Sequence, residues 1–221
     1  MGYDITFHAI SQRELEHYVF DVLRDPSLAA PRAAEITPDP EKQERIKTAI
    51  YEGALLSWYQ NEKDGDGDPF TNYNFAHTFA FGIAILSGFL HPYWYSRNGA
   101  LRLAQNDHPD IEQFFTSYTA LPNSPFAKFT DARDVRMLNG SYTGSGVIKD
   151  VAALKRWVKE NQTYLSQNFE ADGLDSLQRM IDYCLSNDLW MLEATEVSIP
   201  FSNQCNSDFD NFNAHFLNKS E

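Results

Sequence analysis

Three aspartates alternate with glycine in the run Lys63-Asp64-Gly65-Asp66-Gly67-Asp68-Pro69. Carboxylates at alternate loop positions are how a helix–loop–helix calcium site begins, because every second side chain turns toward one ion. The remainder does not fit. Pro69 stands where such a loop needs its glycine, and Phe75 stands where it needs the closing bidentate glutamate. The run reads as a solvated acidic turn, and no metal or cofactor is expected from it.

A second candidate is the glycine-rich stretch Gly140-Ser141-Tyr142-Thr143-Gly144-Ser145-Gly146, which precedes a helix. A helix N-terminus can hold phosphate on its free N–H groups. Here neither nucleotide fingerprint is present, and Asp150 at the helix start would repel an anion. A tight turn between strand and helix is the simpler reading.

The six histidines are His8, His17, His77, His91, His108 and His215. No two share a helix at metal-ligand spacing, and none adjoins a cysteine. His77 lies in the most apolar stretch, where a neutral histidine bonded to a carbonyl is commoner than a catalytic one. Neither the nucleophile elbow nor the zinc-protease helix motif occurs. An enzyme would need a site assembled from distant residues, with a hydrolase using His77 and carboxylates as the form considered. The basic cluster Lys155-Arg156-Lys159 is short and reads as a solvated helix face, so nucleic acid is not an expected partner.

The elements that must position these residues follow from periodicity. Tyr3, Ile5 and Phe7 alternate with Asp4, Thr6 and His8, predicting a half-buried strand. Ser11-Gln12-Arg13-Glu14 is a capping box that opens a helix ending near Asp25-Pro26. Residues 26–40 carry four prolines and read as a loop. Asp39-Pro40 opens a helix reaching about residue 60, since proline is tolerated in a first turn. Residues 72–90 are apolar on nearly every side, predicting a central buried helix stopped by His91-Pro92. Two short helices are expected over 97–106 and 109–119. Asp150 caps an amphipathic helix burying Val151, Leu154, Val158 and Leu165. Another helix runs over 174–187 through Leu174, Leu177, Met180, Ile181 and Leu185, and residues 189–199 return to an extended pattern. The fold expected is α+β, a predominantly helical single domain over 1–221. Its small antiparallel sheet would pair the N-terminal strand with the strand near 189–199.

Of 221 residues, 43% are hydrophobic and 14% aromatic, enough for a substantial core. Cys184 and Cys205 are too few for a disulfide framework and fit a reducing compartment. The N-terminus lacks a basic region and a continuous apolar run, so no signal peptide is expected, and the sequons at Asn139, Asn161 and Asn218 carry no weight. The apolar stretch 75–90 is shorter than the ~20 residues that span a bilayer. A soluble, cytoplasmic protein is expected.

The net charge of −13 is uneven. Residues 1–70 hold fourteen acids and seven bases, residues 71–169 seven acids and nine bases, and residues 170–221 ten acids and two bases. The acid belongs to the two ends of the chain. Aromatic residues accompany it: Phe70 follows the Asp64–Asp68 run, and Phe209 and Phe212 alternate with Asp208 and Asp210. Aromatic anchors beside carboxylates suit a basic protein partner, because aromatics dominate interface hot spots and charge sets the encounter rate. The plainer alternatives are that acid maintains solubility and the aromatics belong to the core.

The stretch Gly144-Ser145-Gly146-Val147-Ile148-Lys149-Asp150-Val151 leads into a Trp-bearing basic helix. A helix from Leu174 to Leu185 and the segment Leu189-Trp190-Met191-Leu192-Glu193-Ala194-Thr195-Glu196 follow. Across roughly residues 140–197 the chain resembles small bacterial cytosolic proteins of the immunity type, encoded beside secreted toxins. The resemblance implies a non-enzymatic protein that binds and blocks a cognate toxin or effector. An acidic surface suits a nuclease toxin, whose active site is basic. The expected contact residues are Asp64, Asp66, Asp68, Phe70, Asp208, Phe209, Asp210 and Phe212.

Overall fold

The computed structural model describes residues 4–56, 59, 73–97, 99–127 and 146–195. Strand β1 spans Asp4–Ile10. A continuous helix follows, α1, made of α-helical Gln12–Leu15, a π-helical stretch Glu16–Phe20 and α-helical Asp21–Arg24. The capping box forms as read: the Ser11 hydroxyl accepts from Glu14 N–H, and the Glu14 carboxylate accepts from Ser11 N–H. Asp25 ends the helix in extended conformation before Pro26.

The proline-rich stretch is not a loop throughout. A 3-10 turn, Pro26–Leu28, runs into helix α2, Ala29–Ile36. Pro31 falls in the first turn of α2, where the amide it lacks would have had no intrahelical acceptor, and buried Ala29 and Ala33 dock the helix on the core. Helix α3 begins at Pro40, capped by Asp39, and passes from α-helical Pro40–Arg45 into π-helical Ile46–Leu56. Helix α4 is Tyr73–Leu90, and from residue 82 onward Ile83, Ala84, Leu86 and Phe89 are buried.

Strand β2, Trp94–Arg97, replaces the start of an expected helix, which shrinks to α5, Leu101–Ala104. The expected helix over 109–119 is instead a 3-10 turn, Pro109–Phe114, and a two-residue strand β3, Phe115–Thr116. Strand β4 is Val147–Ile148. Helices α6, Val151–Glu160, α7, Gln162–Asn168, and α8, Ala171–Asn187, precede β5, Trp190–Thr195. Asp150 caps α6 through Ala153 N–H as its position implies, and Val151, Leu154, Val158 and Leu165 are buried. Leu185, placed on the apolar face by periodicity, is 40% exposed.

Among the described residues the sheet has five strands in the order β2-β1-β5-β4-β3, and every pair is antiparallel. The first and last strands pair as the sequence implies, from Ile5↔Thr195 to Ile10↔Trp190. The protein is therefore α+β, with a small antiparallel sheet among helices. Helices cover both sides of that sheet. Ile10, Leu192, Ala194 and Val147 join a core with α1, α2, α3 and α4. Ile5, Phe7, Ala9, Met191 and Ile148 join a second core with α5, α6 and α8.

This sandwiching corrects the reading of β1 as half-buried. Thr6 and His8 lie on the face expected to meet water, yet both are buried. Burial is tolerable because they bond to each other, His8 Nε2 to Thr6 Oγ1 at 2.8 Å, and because the His8 ring stacks on Tyr93 at 4.9 Å. Among the described residues the His8 Nδ1 has no hydrogen-bond partner. Burial holds this imidazole down at about 3, so it stays neutral in the folded protein.

Candidate functional site

Glu14 reaches the third position of α1 through the capping box and lies 77 residues before His91. His91 leaves the end of α4, its N–H still bonded to Ser87 O at 2.8 Å, and Pro92 stops the helix there. That exit aims the imidazole at Glu14. Nε2 lies 2.9 Å from Glu14 Oε2 and 3.0 Å from Oε1. On its other side, Nδ1 lies 3.2 Å from the Tyr183 hydroxyl, which α8 supplies. The Tyr183 ring also packs on Trp94 of β2, with ring centres 5.5 Å apart. A helix start, a helix end and a late helix thus meet at one imidazole, and the edge strand packs on the tyrosine beside it.

The electrostatics follow from these contacts. Burial pulls the Glu14 carboxyl upward. The hydrogen bonds from His91 and from the Ser11 N–H and hydroxyl outweigh it and hold the group down at about 2. Tyr183 moves the other way: burial, with Cys184 and Glu14 nearby, raises its phenol above the ordinary range. Glu14 is thus an acceptor and Tyr183 a donor at neutral pH. A neutral His91 must then carry its proton on Nε2, facing the carboxylate, and accept from the phenol at Nδ1. The side chains of His91 and Glu14 are 14% and 26% exposed, so the pair is partly screened from solvent yet within its reach. Chemically, the arrangement can hold an imidazolium and pass a proton between a phenol and a carboxylate-supported ring.

Glu14 also lines a cavity of about 300 Å³ with Ser11, Arg13, His17 and Tyr18. His17 belongs to a second polar group: its Nε2 lies 2.6 Å from Glu35 Oε2, while Arg32 donates to Glu35 Oε1 at 2.7 Å and to His17 O at 3.1 Å. The contact from His17, with Arg32, holds the Glu35 carboxyl below its usual range. Of these residues, His17 and Tyr18 lie on the π-helical stretch of α1, a helix form that recurs at functional sites.

The residues expected to contact a partner, Asp64, Asp66, Asp68, Phe70, Asp208, Phe209, Asp210 and Phe212, lie outside the described residues. Cys205 and most of the glycine-rich stretch 140–146 also lie outside them. His77 falls on α4, but its side chain is outside the description. Cys184 is the buried small hydrophobe its position implied, and burial pushes its thiol up to about 12. Among the described residues no cluster of three or more metal-ligating side chains occurs, and no helix is long and apolar enough to cross a membrane.

Sequence reasoning passed over the cluster the structure does form. Glu14 was accounted for by the capping box, and His91 by its place before a proline. Tyr183 carried no signal, since its partners lie 92 residues away on the chain. Comparison with protein-family models, curated proteins and solved structures returned no match.

Proposed function

We propose that this chain is a non-enzymatic binding protein of the immunity type. It neutralises a basic protein toxin, a nuclease being the best fit, by covering the toxin's active site with an acidic surface. The observation that supports this reading is the charge, net −13 with fourteen acids in residues 1–70 and ten in residues 170–221. Within the described residues, Ile5 of β1 stands opposite Thr195 of β5. Asp4 stands at that end of the sheet, whereas the other thirteen acids of residues 1–70 follow Ile10, which pairs with Trp190 at the opposite end.

A net charge of −13 steers a cationic partner and repels nucleic acid and anionic membranes. Asp64, Asp66, Asp68, Asp208 and Asp210 supply charge in this reading, and Phe70, Phe209 and Phe212 supply the anchors that make an encounter persist. The cytoplasm is the compartment the role requires.

The test is affinity capture with the tagged full-length chain from its native cells at low and high salt, beside a variant with Asn at those five Asp positions. The expected result is a basic protein held by the wild type at low salt and released at high salt. The variant fails to hold it, and co-expression of the wild type relieves the toxicity of the captured protein. Equal capture by both chains, or a captured protein that is harmless alone, overturns the reading.

A further inference from the structure

We propose that Tyr183 is a nucleophile, with His91 as its general base and Glu14 as the residue that positions the base, and that it accepts acyl groups from activated esters. Three chain-distant side chains meet the geometric requirement for an activated nucleophile. The nucleophile lies within hydrogen-bond reach of a base, Tyr183 Oη to His91 Nδ1 at 3.2 Å, and the base is oriented by a third group, His91 Nε2 to Glu14 at 2.9 Å. Tyr183 is half-buried.

A structural clip would explain the Glu14–His91 bond alone. It does not require that the remaining imidazole lone pair meet a phenol that water could satisfy. The surroundings carry a second sign. Trp94, packed on the Tyr183 ring, buries an indole N–H with no hydrogen-bond partner among the described residues. Orphan donors of this kind cost stability and recur where a structure serves something besides folding.

The class of acceptor chemistry follows from charge. Glu14 is ionised at physiological pH and lies one imidazole ring from Tyr183, so an incoming phosphate dianion is repelled, whereas an uncharged ester carbonyl is not. In the step itself, Tyr183 Oη bonds to the carbonyl carbon while its proton moves to His91 Nδ1. The bond from that carbon to the leaving oxygen breaks, and the alkoxide or phenolate departs with the electron pair. Glu14 holds the imidazolium until the proton passes to solvent or to the leaving group, and O-acyl-Tyr183 remains. The inference is independent of the binding reading: the five Asn substitutions should leave it unchanged.

The full-length chain is treated with p-nitrophenyl acetate, and acetyl groups are mapped by mass spectrometry peptide by peptide. Tyr164, whose hydroxyl donates to Asp107 at 2.9 Å and whose ring packs on His108 at 4.3 Å, is the internal reference. Acetylation of Tyr183 is expected at least tenfold faster than that of Tyr164, a comparison that needs no variant. His91→Ala should slow Tyr183 by roughly a hundredfold, the low end for a general base, and added imidazole should restore it. Glu14→Gln should slow Tyr183 but not Tyr164, whereas Asp150→Ala, which removes the α6 cap, should lower the melting temperature and leave both rates alone. General loosening would instead raise both tyrosines together. Equal labelling of Tyr183 and Tyr164 in the wild type overturns the proposal, as does a Tyr183 rate indifferent to His91→Ala in a variant with native circular dichroism.

Discussion

The Glu14 carboxylate accepts from His91 Nε2 at 2.9 Å, joining the first turn of α1 to the residue that ends α4. One carboxylate thereby serves two purposes. It closes the capping box with Ser11, and it fixes the imidazole that faces Tyr183. Charge-assisted bonds to a partly buried carboxylate are among the stronger polar contacts in a protein, so this junction should be visible in stability measurements.

The Glu14 contribution should depend on pH in a defined direction. Its folded value of about 2 lies below the ordinary 4.5, so the unfolded chain binds the proton first as pH falls. The stabilisation is complete above about pH 4.5 and is lost as pH drops through about 2. Glu14→Ala should cost roughly 2–3 kcal/mol at pH 7, given about 1.4 kcal/mol per pK unit. Urea denaturation at pH 7 and near pH 2 checks this. A penalty of equal size at both values would show that the carboxylate charge is irrelevant.

His8 should make the protein acid-sensitive at a higher pH. Its folded value of about 3 lies below the ordinary 6.5, so between those values the unfolded chain takes up a proton that the folded chain excludes. Stability is full above pH 6.5 and falls by about 1.4 kcal/mol per unit below it. His8→Gln keeps a partner for Thr6 but cannot titrate. Its denaturation midpoint should be flatter than the wild type's from pH 6.5 to 4.5, whatever its absolute stability.

Glu193 is a buried carboxylate on β5, opposite Phe7 of β1, and it accepts from the Leu101 N–H at 2.6 Å, capping α5 from across the fold. Glu193→Ala leaves that donor buried and unpaired and should cost about 2–4 kcal/mol, whereas Glu193→Gln keeps an acceptor and should cost about 1 kcal/mol. Equilibrium unfolding in urea separates the two. Equal losses would mean that the bond to Leu101 is incidental.

Gly146 enters β4 with φ of 93°, and a side chain there would collide with the Thr116 carbonyl of β3. Gly146→Ala combines left-handed strain with backbone displacement at the sheet edge and should cost about 3 kcal/mol or more. Thermal unfolding of the variant checks it. A melting temperature within a degree of the wild type would mean that the β3–β4 junction yields freely.

Much of the helix and strand framework was legible because its signals are local. Ser11 and Glu14, Asp39 and Pro40, and Asp150 each announce a helix start through bonds spanning two or three residues. The period-two pattern of residues 3–10 and the extended pattern of residues 189–199 identified two strands, and their pairing was a small step. Where local signals conflicted, the outcome belonged to packing. Prolines around residue 31 argued for a loop, but buried Ala29 and Ala33 hold a helix there. The polar face of β1 argued for solvent, but α4 and its neighbours cover it.

The amino-acid sequence by itself determined the first and last strands, the capped starts of α1, α3 and α6, and that acid gathers at the two ends of the chain. Those properties depend on neighbours within a turn or a strand repeat. Only the tertiary structure decided that helices enclose the sheet on both faces and that Glu14, His91 and Tyr183 converge. The physical reason is distance along the chain. Contacts across 77 and 92 residues leave no periodic trace, because each partner's residue type is already explained by a local role, and the bond exists only once α1, α4 and α8 have packed against the same sheet.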